Sequence, residues 1–338
     1  MKLKQYLYSQ LAITFFPIFL GLYFITSIVF LVKIASLTSI ITINFVELFT
    51  LYAYVVPQII FYTMPISFFI SLVITLSKLS SEYELTVITS FGLNPVKILK
   101  IFLPLTLVLS SALLVVSVGL IPKTKFLTKQ FLDAKTKEAN FNIKASEFGQ
   151  KFGDWLIYIK SKEDKLYNEI KLFKTQEGKD QFILSKTAVL DNDKGNLSFK
   201  LNDGKAFFID DIELNQVDFK SMHINDSIAN SKLGKFTTTY NYWKERLVKG
   251  IDIDDLSFFI LTSLFPVLSL FLVITFGYFN PRYEKNRAVT YSLISIVLYY
   301  VLIKAIGDSL LLHSLYLIPI VWLLCTYFLY TKTVKKEY

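Results

Sequence analysis

Residues 101–121 read IFLPLTLVLSSALLVVSVGLI, and PKTK follows at residues 122–125. The first part carries no charge, and at ~1.5 Å per residue it is long enough to cross the hydrocarbon core of a bilayer. The second part places two lysines beside a proline and opens a stretch in which charged residues are frequent. The sequence therefore predicts that a membrane-spanning helix ends near Ile121 and that a domain outside the membrane begins at Pro122.

Further apolar segments lie on both sides of this boundary. Upstream, residues 11–32 carry no charge and are longer than the core of a signal peptide, and a second segment covers about residues 55–77. Downstream, three segments cover about residues 256–279, 288–306 and 310–330. Together they predict six transmembrane helices, split three and three by the inserted domain. The more polar residues 34–54 are expected to run along or just outside the membrane surface.

The charges are distributed unevenly along the chain. Residues 122–255 contain 23 Lys or Arg and 21 Asp or Glu, whereas the remainder contains 13 and 6. Because basic residues collect on the cytoplasmic side of membrane proteins, both termini are predicted to be cytoplasmic and the inserted domain to lie on the opposite face. The basic residues of the cytoplasmic flanks are Lys2, Lys4, Lys78, Lys97, Lys100, Arg282, Lys285, Arg287, Lys332, Lys335 and Lys336.

The inserted domain is predicted to start with a helix and to continue as β-structure. A helical stretch covers roughly Lys123 to Asn140, and short alternating segments separated by turn residues follow it. Strands of this length and spacing are typical of a sandwich, a roll or an open barrel. The four predicted strands are Trp155–Ile159, Glu169–Phe173, Asn196–Leu201 and Glu213–Phe219.

Residue types that carry catalysis or bind metals are rare. One cysteine, Cys325, permits no disulfide within the chain, and two distant histidines, His223 and His313, do not form a metal-ligand cluster. A nucleotide-binding P-loop needs G-x-x-x-x-G-K-[ST], and no glycine that precedes a lysine here has that context. The sequence therefore predicts a non-catalytic protein without cofactors, which would obtain any energy of ATP hydrolysis through contact with a partner.

Residues 78–92, KLSSEYELTVITSFG, predict a short amphipathic helix between spans two and three. Ser80 or Ser81 could cap it, and Gly92 is expected to end it. The helix would present an apolar stripe formed by Leu85, Ile88 and Phe91. From these features alone two interpretations stay open: a helix that lies on the bilayer surface with solvated acids, and a docking element in which Glu84 pairs with a basic residue of a partner.

Several short motifs occur in an order that resembles a known family of permeases. They are Thr63-Met64-Pro65-Ile66, Leu76-Ser77-Lys78-Leu79, Glu84-Leu85-Thr86-Val87, Gly92-Leu93, Ile121-Pro122, Glu147-Phe148 and Asn280-Pro281-Arg282. Each motif alone is weak, but their order around a three-plus-three topology resembles the lipopolysaccharide export permeases LptF and LptG over essentially the whole chain. Residues 76–93 and 280–282 look slightly more like LptF.

The resemblance implies a specific machine and a domain plan. An LptF–LptG pair works with two copies of the ATPase LptB, extracts lipopolysaccharide from the inner membrane, and passes it through LptC to a bridge of periplasmic β-jellyroll domains. The chain would then comprise spans one to three (residues 1–121, with a coupling helix at 80–92), a jellyroll-like periplasmic domain (122–255) and spans four to six (256–338). Glu84 would be the coupling-helix glutamate, and Leu85, Ile88, Phe91 and Gly92 would complete the contact with the ATPase.

A second candidate site lies at the outer ends of spans one and three, where Lys33, Lys123 and Lys125 occur. These lysines could simply extend towards water and headgroups. In the family, basic residues in matching regions contact the substrate, so the resemblance implies that the three amines pair with phosphates of lipid A. Each would contribute only ~1 kcal/mol near an anionic surface.

Other functional classes require residues that this sequence does not place together. A secondary transporter driven by an ion gradient needs carboxylates at the middle of the membrane, and an intramembrane enzyme needs a cluster of His, Asp or Glu at one membrane face. A membrane scaffold or assembly protein with a periplasmic binding domain stays open as the alternative, because a docking helix and a β-domain would serve it equally well.

Overall fold

The computed structural model describes residues 2–37, 43–91, 95–141, 150–152, 155–163, 166–176, 179–193, 196–209, 213–225, 238–250, 253–282 and 285–337. The chain divides into two compact units, one formed by residues 1–129 and 236–338 and the other by residues 130–235. The first unit is helical, and the second contains the β-strands.

The described helices follow the predicted order of apolar segments. Five continuous stretches are long and apolar enough to cross a membrane, and α7 and α8 together form a bent sixth. These findings and the inserted sheet confirm the predicted membrane-helical fold class. The helices are α1 (Lys2–Leu37), α2 (Phe45–Ser81), α3 (Glu84–Ser90), α4 (Pro95–Leu114), α5 (Ile121–Phe141), α6 (Thr239–Lys249), α7 (Ile253–Leu268), α8 (Leu270–Gly277), α9 (Ala288–Leu310) and α10 (Ser314–Glu337).

Helix α2 begins earlier than the sequence pattern predicted. It starts at Phe45 with a capping box, in which the Asn44 side chain accepts from the Phe45 amide and the Glu47 carboxylate accepts from the Asn44 amide. Its 37 residues would extend ~55 Å, well beyond the thickness of a hydrocarbon core. Residues 45–54 therefore continue into span two as one helix, with Asn44 and Glu47 forming its cap, and the part of this helix that lies in the bilayer stays a prediction.

The α4–α5 stretch crosses the predicted boundary between span three and the inserted domain, at Ile121 and Pro122. A π-helical turn, Val115–Leu120, joins the two helices, and α5 contains the predicted entry helix. The fourth span is broken instead: α7 and α8 meet at Ser269 with a bend of 44°. Pro266 contributes to the break because it has no amide hydrogen to donate and its ring crowds the preceding turn.

Aromatic side chains form the centre of the helical unit. The Tyr299 ring lies between the rings of Phe265 and Trp322, with ring centroids 4.8 Å apart in both pairs. The polar ends of these side chains are satisfied: the Tyr299 hydroxyl donates to the Leu261 carbonyl, and the Trp322 indole donates to the Ser269 hydroxyl. The aromatic cluster therefore holds α7, α9 and α10 together at the bend.

The described strands form one antiparallel sheet in which each strand pairs with its neighbours in sequence. The four predicted strands coincide with parts of β2, β3, β5 and β6, with Glu213 one residue before β6, whereas β1 and β4 were missed. The buried positions of β4 include Ser185 and Ala188, which weaken the apolar alternation on which strand prediction depends. The strands are β1 (Gln150–Phe152), β2 (Trp155–Glu163), β3 (Leu166–Gln176), β4 (Lys179–Asp193), β5 (Asn196–Ile209) and β6 (Leu214–Asn225).

An irregularity crosses strands β2 to β6 at matching positions, which we call the pairing gap. It is formed by residues that the regular pairing skips, namely Lys160, Glu169, Lys186, Asp203 and Lys220. The register is the same on both sides of the gap, because the skipped residues of neighbouring strands lie opposite each other. The spacing of buried residues along a strand shifts by one residue at the gap, for example from Tyr167 to Ile170 in β3, and this shift keeps one face of the sheet apolar on both sides.

Candidate functional site

The connection between α2 and α3 is a tight turn rather than the start of one capped helix. Helix α2 runs through Ser80 to Ser81, and the Glu82 amide donates to the Lys78 carbonyl. Tyr83 then adopts a left-handed conformation with φ of 60°, and α3 begins at Glu84. The predicted serine cap is wrong because Tyr83, which makes no side-chain capping bond, occupies the cap position of α3.

Ser80 connects this turn to the end of span four. Its hydroxyl donates to the Gly277 carbonyl over 2.7 Å and accepts from the Phe279 amide over 3.4 Å. The helices approach closely here, because a Cβ at Gly277 would lie 2.6 Å from Leu76 Cβ. The absence of a side chain at Gly277 thus allows the ends of α2 and α8 to pack against each other.

Glu84, the predicted coupling glutamate, is oriented by the first helix. The Tyr6 hydroxyl donates to Glu84 Oε2 over 2.6 Å. Both side chains remain partly accessible to solvent. One carboxylate oxygen is therefore held by α1, while the accessible side chain remains available to a basic group of a partner.

The apolar residues of α3 face different surroundings. Leu85 is buried in the core of the helical unit, and Ile88 packs partly against it. Phe91 and Val87 are exposed, with 83% and 53% of their surface accessible. Of the three residues in the predicted stripe, only Phe91 is strongly exposed. Val87 is also exposed, although the sequence pattern did not place it in the stripe. Gly92 lies outside the described residues.

The predicted basic residues lie on two helices. Lys33 is exposed near the end of α1, and Lys123 is exposed in the first turn of α5. Lys125 forms an ion pair with Asp255 over 3.4 Å, and its ammonium lies 5.4 Å from the centroid of the Phe259 ring. Asp255 was not predicted as a site residue, although its place in the first turn of α7, where acidic residues are favoured, was a usable signal.

A small cavity of about 200 Å³ adjoins this ion pair. Its lining includes Tyr62, Lys125, Asp254, Phe258 and Lys304. Acidic and basic side chains therefore meet at the mouth of an aromatic pocket where α2, α5, α7 and α9 come together. The pocket is smaller than the usual site for a drug-sized ligand, so it suits a single polar group.

The β-domain contains a larger cavity, of about 540 Å³, along the pairing gap. Acidic and basic side chains alternate around it, and Lys160 of the same gap forms an ion pair with Glu169 over 2.6 Å. The neighbouring Glu169 carboxylate raises the pKa of Lys160. Because its rim carries both charges, this cavity suits a polar group. The charged residues that line it are Glu169, Lys171, Lys186, Asp203, Lys205 and Asp218.

The comparison with known families agrees with this architecture. The sequence model of the family described as "Lipopolysaccharide export system permease LptF/LptG" matches residues 5–332 of the 338-residue chain. The chain belongs to the LptF/LptG family. No curated protein matches it closely enough to be named as a relative.

Membership of the LptF/LptG family assigns the chain as a whole to a transport system. The chain is a lipopolysaccharide export permease of the Lpt system and a multi-pass protein of the inner membrane. The family model covers LptF and LptG alike. In the described part of this permease, no group of three His, Cys, Asp or Glu side chains could hold a metal ion. His313 instead shares a hydrogen bond with Tyr316, and Cys325 is exposed.

Proposed function

We propose that the chain is the transmembrane subunit of an ABC-type exporter that extracts lipopolysaccharide from the inner membrane. It passes the lipid to a periplasmic bridge of β-domains, while a partner hydrolyses ATP. The observation that carries the proposal is the turn after α2, where an accessible Glu84, held by Tyr6, begins a short helix and the exposed Phe91 follows it as the C-cap residue. This element has the properties of a docking surface, and it belongs to a permease of the Lpt system.

In this proposal α3 couples the chain to an LptB-like ATPase dimer. Glu84 pairs with a basic residue of the ATPase, and Phe91 enters an apolar pocket beside it. Leu85 and Ile88 connect α3 to the helix bundle instead of to the ATPase, since Leu85 is buried in the bundle core and Ile88 packs against that core. Movement of the docked helix would therefore reach the spans through these two side chains, and through the contact of Ser80 with Gly277.

The same proposal assigns the remaining partners and the orientation. Both termini and α3 face the cytoplasm, where the ATPase is, and the β-domain faces the periplasm, where it delivers lipid to an LptC-like protein. A paired LptG-like or LptF-like permease completes the membrane cavity. The distribution of basic residues along the flanks of the spans supports this orientation.

For the substrate, we propose that Lys33, Lys123 and Lys125 pair with the phosphates of lipopolysaccharide. Lys33 and Lys123 are exposed, and Lys125 is partly accessible beside Asp255. A phosphate that reaches Lys125 must compete with the Asp255 carboxylate. The three lysines would therefore contribute unequally, with Lys125 weaker than its charge alone suggests.

The coupling role is tested by exchanging Glu84 for alanine in the purified complex. Glu84→Ala should lower ATP-dependent release of lipopolysaccharide by about tenfold or more, since the loss of a hydrogen bond to a charged group costs about 1.5–3 kcal/mol. Glu82→Ala is the matched control, because Glu82 is exposed two residues earlier in the same turn.

Two outcomes would contradict the proposal. Equal release by wild type and Glu84→Ala would remove Glu84 from the coupling contact. If no ATPase co-purifies with the wild-type chain, the coupled exporter is wrong, and the scaffold function becomes the better explanation.

The substrate contact is tested by photocrosslinking from positions 33 and 123, with exposed Lys332 of α10, on a predicted cytoplasmic flank, replaced in the same way as the control. Adducts with lipopolysaccharide at 33 and 123 that exceed those at 332 are expected. Absence of adducts at both positions, under conditions in which the complex transports, would overturn the assignment.

A further inference from the structure

Helix α6 precedes span four and has clear signals at both ends. The Thr238 hydroxyl accepts from the Asn241 amide at its start, and Gly250, with φ of 67°, ends it in the left-handed conformation. Span four begins at Ile253, just after this cap. The helix is therefore a separate, well-bounded element placed directly before a membrane span.

The π turn of span three fixes α6 to the helical unit. The Trp243 indole donates to the Val118 carbonyl over 2.9 Å, and the Thr239 hydroxyl donates to the Gly119 carbonyl over 3.2 Å. Both carbonyls belong to the π turn. The usual α-helical donor to the Val118 carbonyl would be the amide of residue 122, which is a proline and has no N–H. Trp243 is itself buried in a cluster with Phe61 and Phe259. Side chains of α6 thus hydrogen-bond to the backbone of the π turn.

With this side facing the bundle, the rest of α6 divides into two surfaces. Successive residues of a helix are rotated by ~100° around its axis, so Tyr240, Leu247 and Val248 lie on one side of α6, and Lys244 lies on the same side. These three apolar side chains are 73%, 41% and 80% exposed, respectively. The other outward surface is polar and includes Glu245, which forms an ion pair with Lys249 over 3.8 Å. The helix is therefore apolar and polar on two separate outward sides.

We propose that α6 lies in the bilayer surface, with Tyr240, Leu247 and Val248 among the acyl chains and the Lys244 ammonium at the headgroup phosphates. Two observations favour lipid as the partner. The helix is fixed to the last residues of span three and leads directly into span four, so it lies at the boundary of the apolar bundle. It also carries three basic residues, Lys244, Arg246 and Lys249, against one acid, Glu245. An apolar side with a basic border is the pattern of helices that bind anionic bilayer surfaces.

This inference goes beyond lipid export and does not depend on it. In this role α6 is an anchor: it holds the chain at the membrane surface where it returns from the β-domain to span four. The indole of Trp243 and the apolar side of α6 act together, one on the π turn and the other on the lipid.

The experiment places a fluorescent label on each outward side of α6. Tyr240→Cys and Glu245→Cys are made in the full chain in a Cys325→Ser background, because Cys325 is exposed. Both variants are labelled with an environment-sensitive dye and reconstituted in vesicles of phosphatidylcholine with a quarter of phosphatidylglycerol. Quenching by doxyl-labelled lipid should be at least about twofold stronger at 240 than at 245, and quenching by aqueous iodide should show the reverse order.

Three outcomes would overturn the proposal. Equal quenching by doxyl lipid at 240 and 245, or stronger iodide quenching at 240, would place the apolar side in water. A label at 240 that is shielded from both quenchers would indicate a protein partner or a second copy of the chain on this side.

Trp243→Phe tests the anchoring step, because it keeps an aromatic ring but removes the N–H that donates to Val118. It should reduce the difference in doxyl quenching between 240 and 245 by about half or more, since one of the two bonds to the π turn is lost. An unchanged difference in a variant that purifies as a monodisperse protein would show that the indole does not anchor α6.

Discussion

At the scale of single residues, Glu84 accepts a hydrogen bond of 2.6 Å from the hydroxyl of Tyr6, which lies 78 residues earlier in the chain. The first helix thereby determines how the proposed coupling carboxylate is presented. Sequence patterns identified Glu84 through its neighbours in the motif, but Tyr6 belongs to no motif. Its role becomes visible only when the packing of α1 beside the turn is known.

Tyr6→Phe removes this hydrogen bond while keeping the aromatic ring. We expect a two- to tenfold loss of coupled lipopolysaccharide release, because this bond is exposed to solvent and a typical hydrogen bond contributes about 0.5–1.5 kcal/mol. ATP turnover by the partner and the amount of purified complex should stay near wild type. Tyr83→Phe, an exposed phenol in the same turn, is the control. Equal losses in both variants would rule out a specific role for Tyr6.

Gly204 follows Asp203 of the pairing gap, and the packing around it leaves no space for a side chain. A Cβ at this position would lie 2.2 Å from the Leu184 carbonyl oxygen and 2.4 Å from the Phe219 ring. Gly204→Ala should therefore destabilise the β-domain by roughly 1–3 kcal/mol, as overpacking commonly does. Hydrogen exchange should show this destabilisation as faster exchange of the backbone amides in β4 to β6. Lys205→Ala, at an exposed neighbouring position, should leave exchange unchanged, and similar exchange in both variants would contradict the argument.

At the scale of elements, periodicity predicted which segments are helices but not which side of a short helix faces inward. For α3 the pattern grouped Leu85, Ile88 and Phe91, yet Leu85 is in the core and Phe91 is exposed. A seven-residue helix has too few turns to define an apolar side, so its orientation follows from the left-handed Tyr83 and the contact of Ser80 with α8. The pairing gap was also not predicted, because a shift of one residue in each strand weakens the alternation of apolar and polar side chains.

The junction of α2 and α8 makes a prediction at this scale. Gly277→Ala would place a Cβ 2.6 Å from Leu76 Cβ, so the two helix ends must separate and the bond from Ser80 must weaken. We expect lower thermal stability of the purified chain, by roughly 1–3 kcal/mol, and faster proteolysis near α3. Gly21→Ala is the control, because no heavy atom lies within 4 Å of a Cβ at that position. Unchanged proteolysis near α3 in Gly277→Ala would contradict the coupling of the two elements.

At the scale of the whole molecule, the uncharged stretch 101–121 and the charged residues after it predicted membrane helices interrupted by an inserted domain. Apolar length is a strong signal because a bilayer requires ~20 apolar residues per helix, and that requirement holds whatever the neighbours are. The same signal predicts that the membrane-embedded part of span two starts near residue 55, whereas helix α2 already begins at Phe45, after the cap formed by Asn44 and Glu47. The cytoplasmic location of the four basic flanks and the placement of the β-domain on the opposite face of the membrane stay predictions from the charge distribution.

Labelling of single cysteines tests this sidedness. In a Cys325→Ser background, Thr86→Cys and Lys205→Cys are made at two exposed positions, one in α3 and one in β5. A membrane-impermeant maleimide should label Lys205→Cys in intact spheroplasts and Thr86→Cys only after permeabilisation, as the basic flanks predict. Labelling of Thr86→Cys before permeabilisation would reverse the orientation.

The central claim is that this LptF/LptG permease exports lipopolysaccharide with energy that a partner ATPase supplies through α3. Its most direct test is release of lipopolysaccharide from proteoliposomes that contain the purified complex, with a photoreactive residue in place of exposed Phe91. The account predicts release that requires ATP, together with a crosslink from position 91 to the ATPase. Release without ATP, or a transporting complex in which position 91 crosslinks only to lipid, would contradict it.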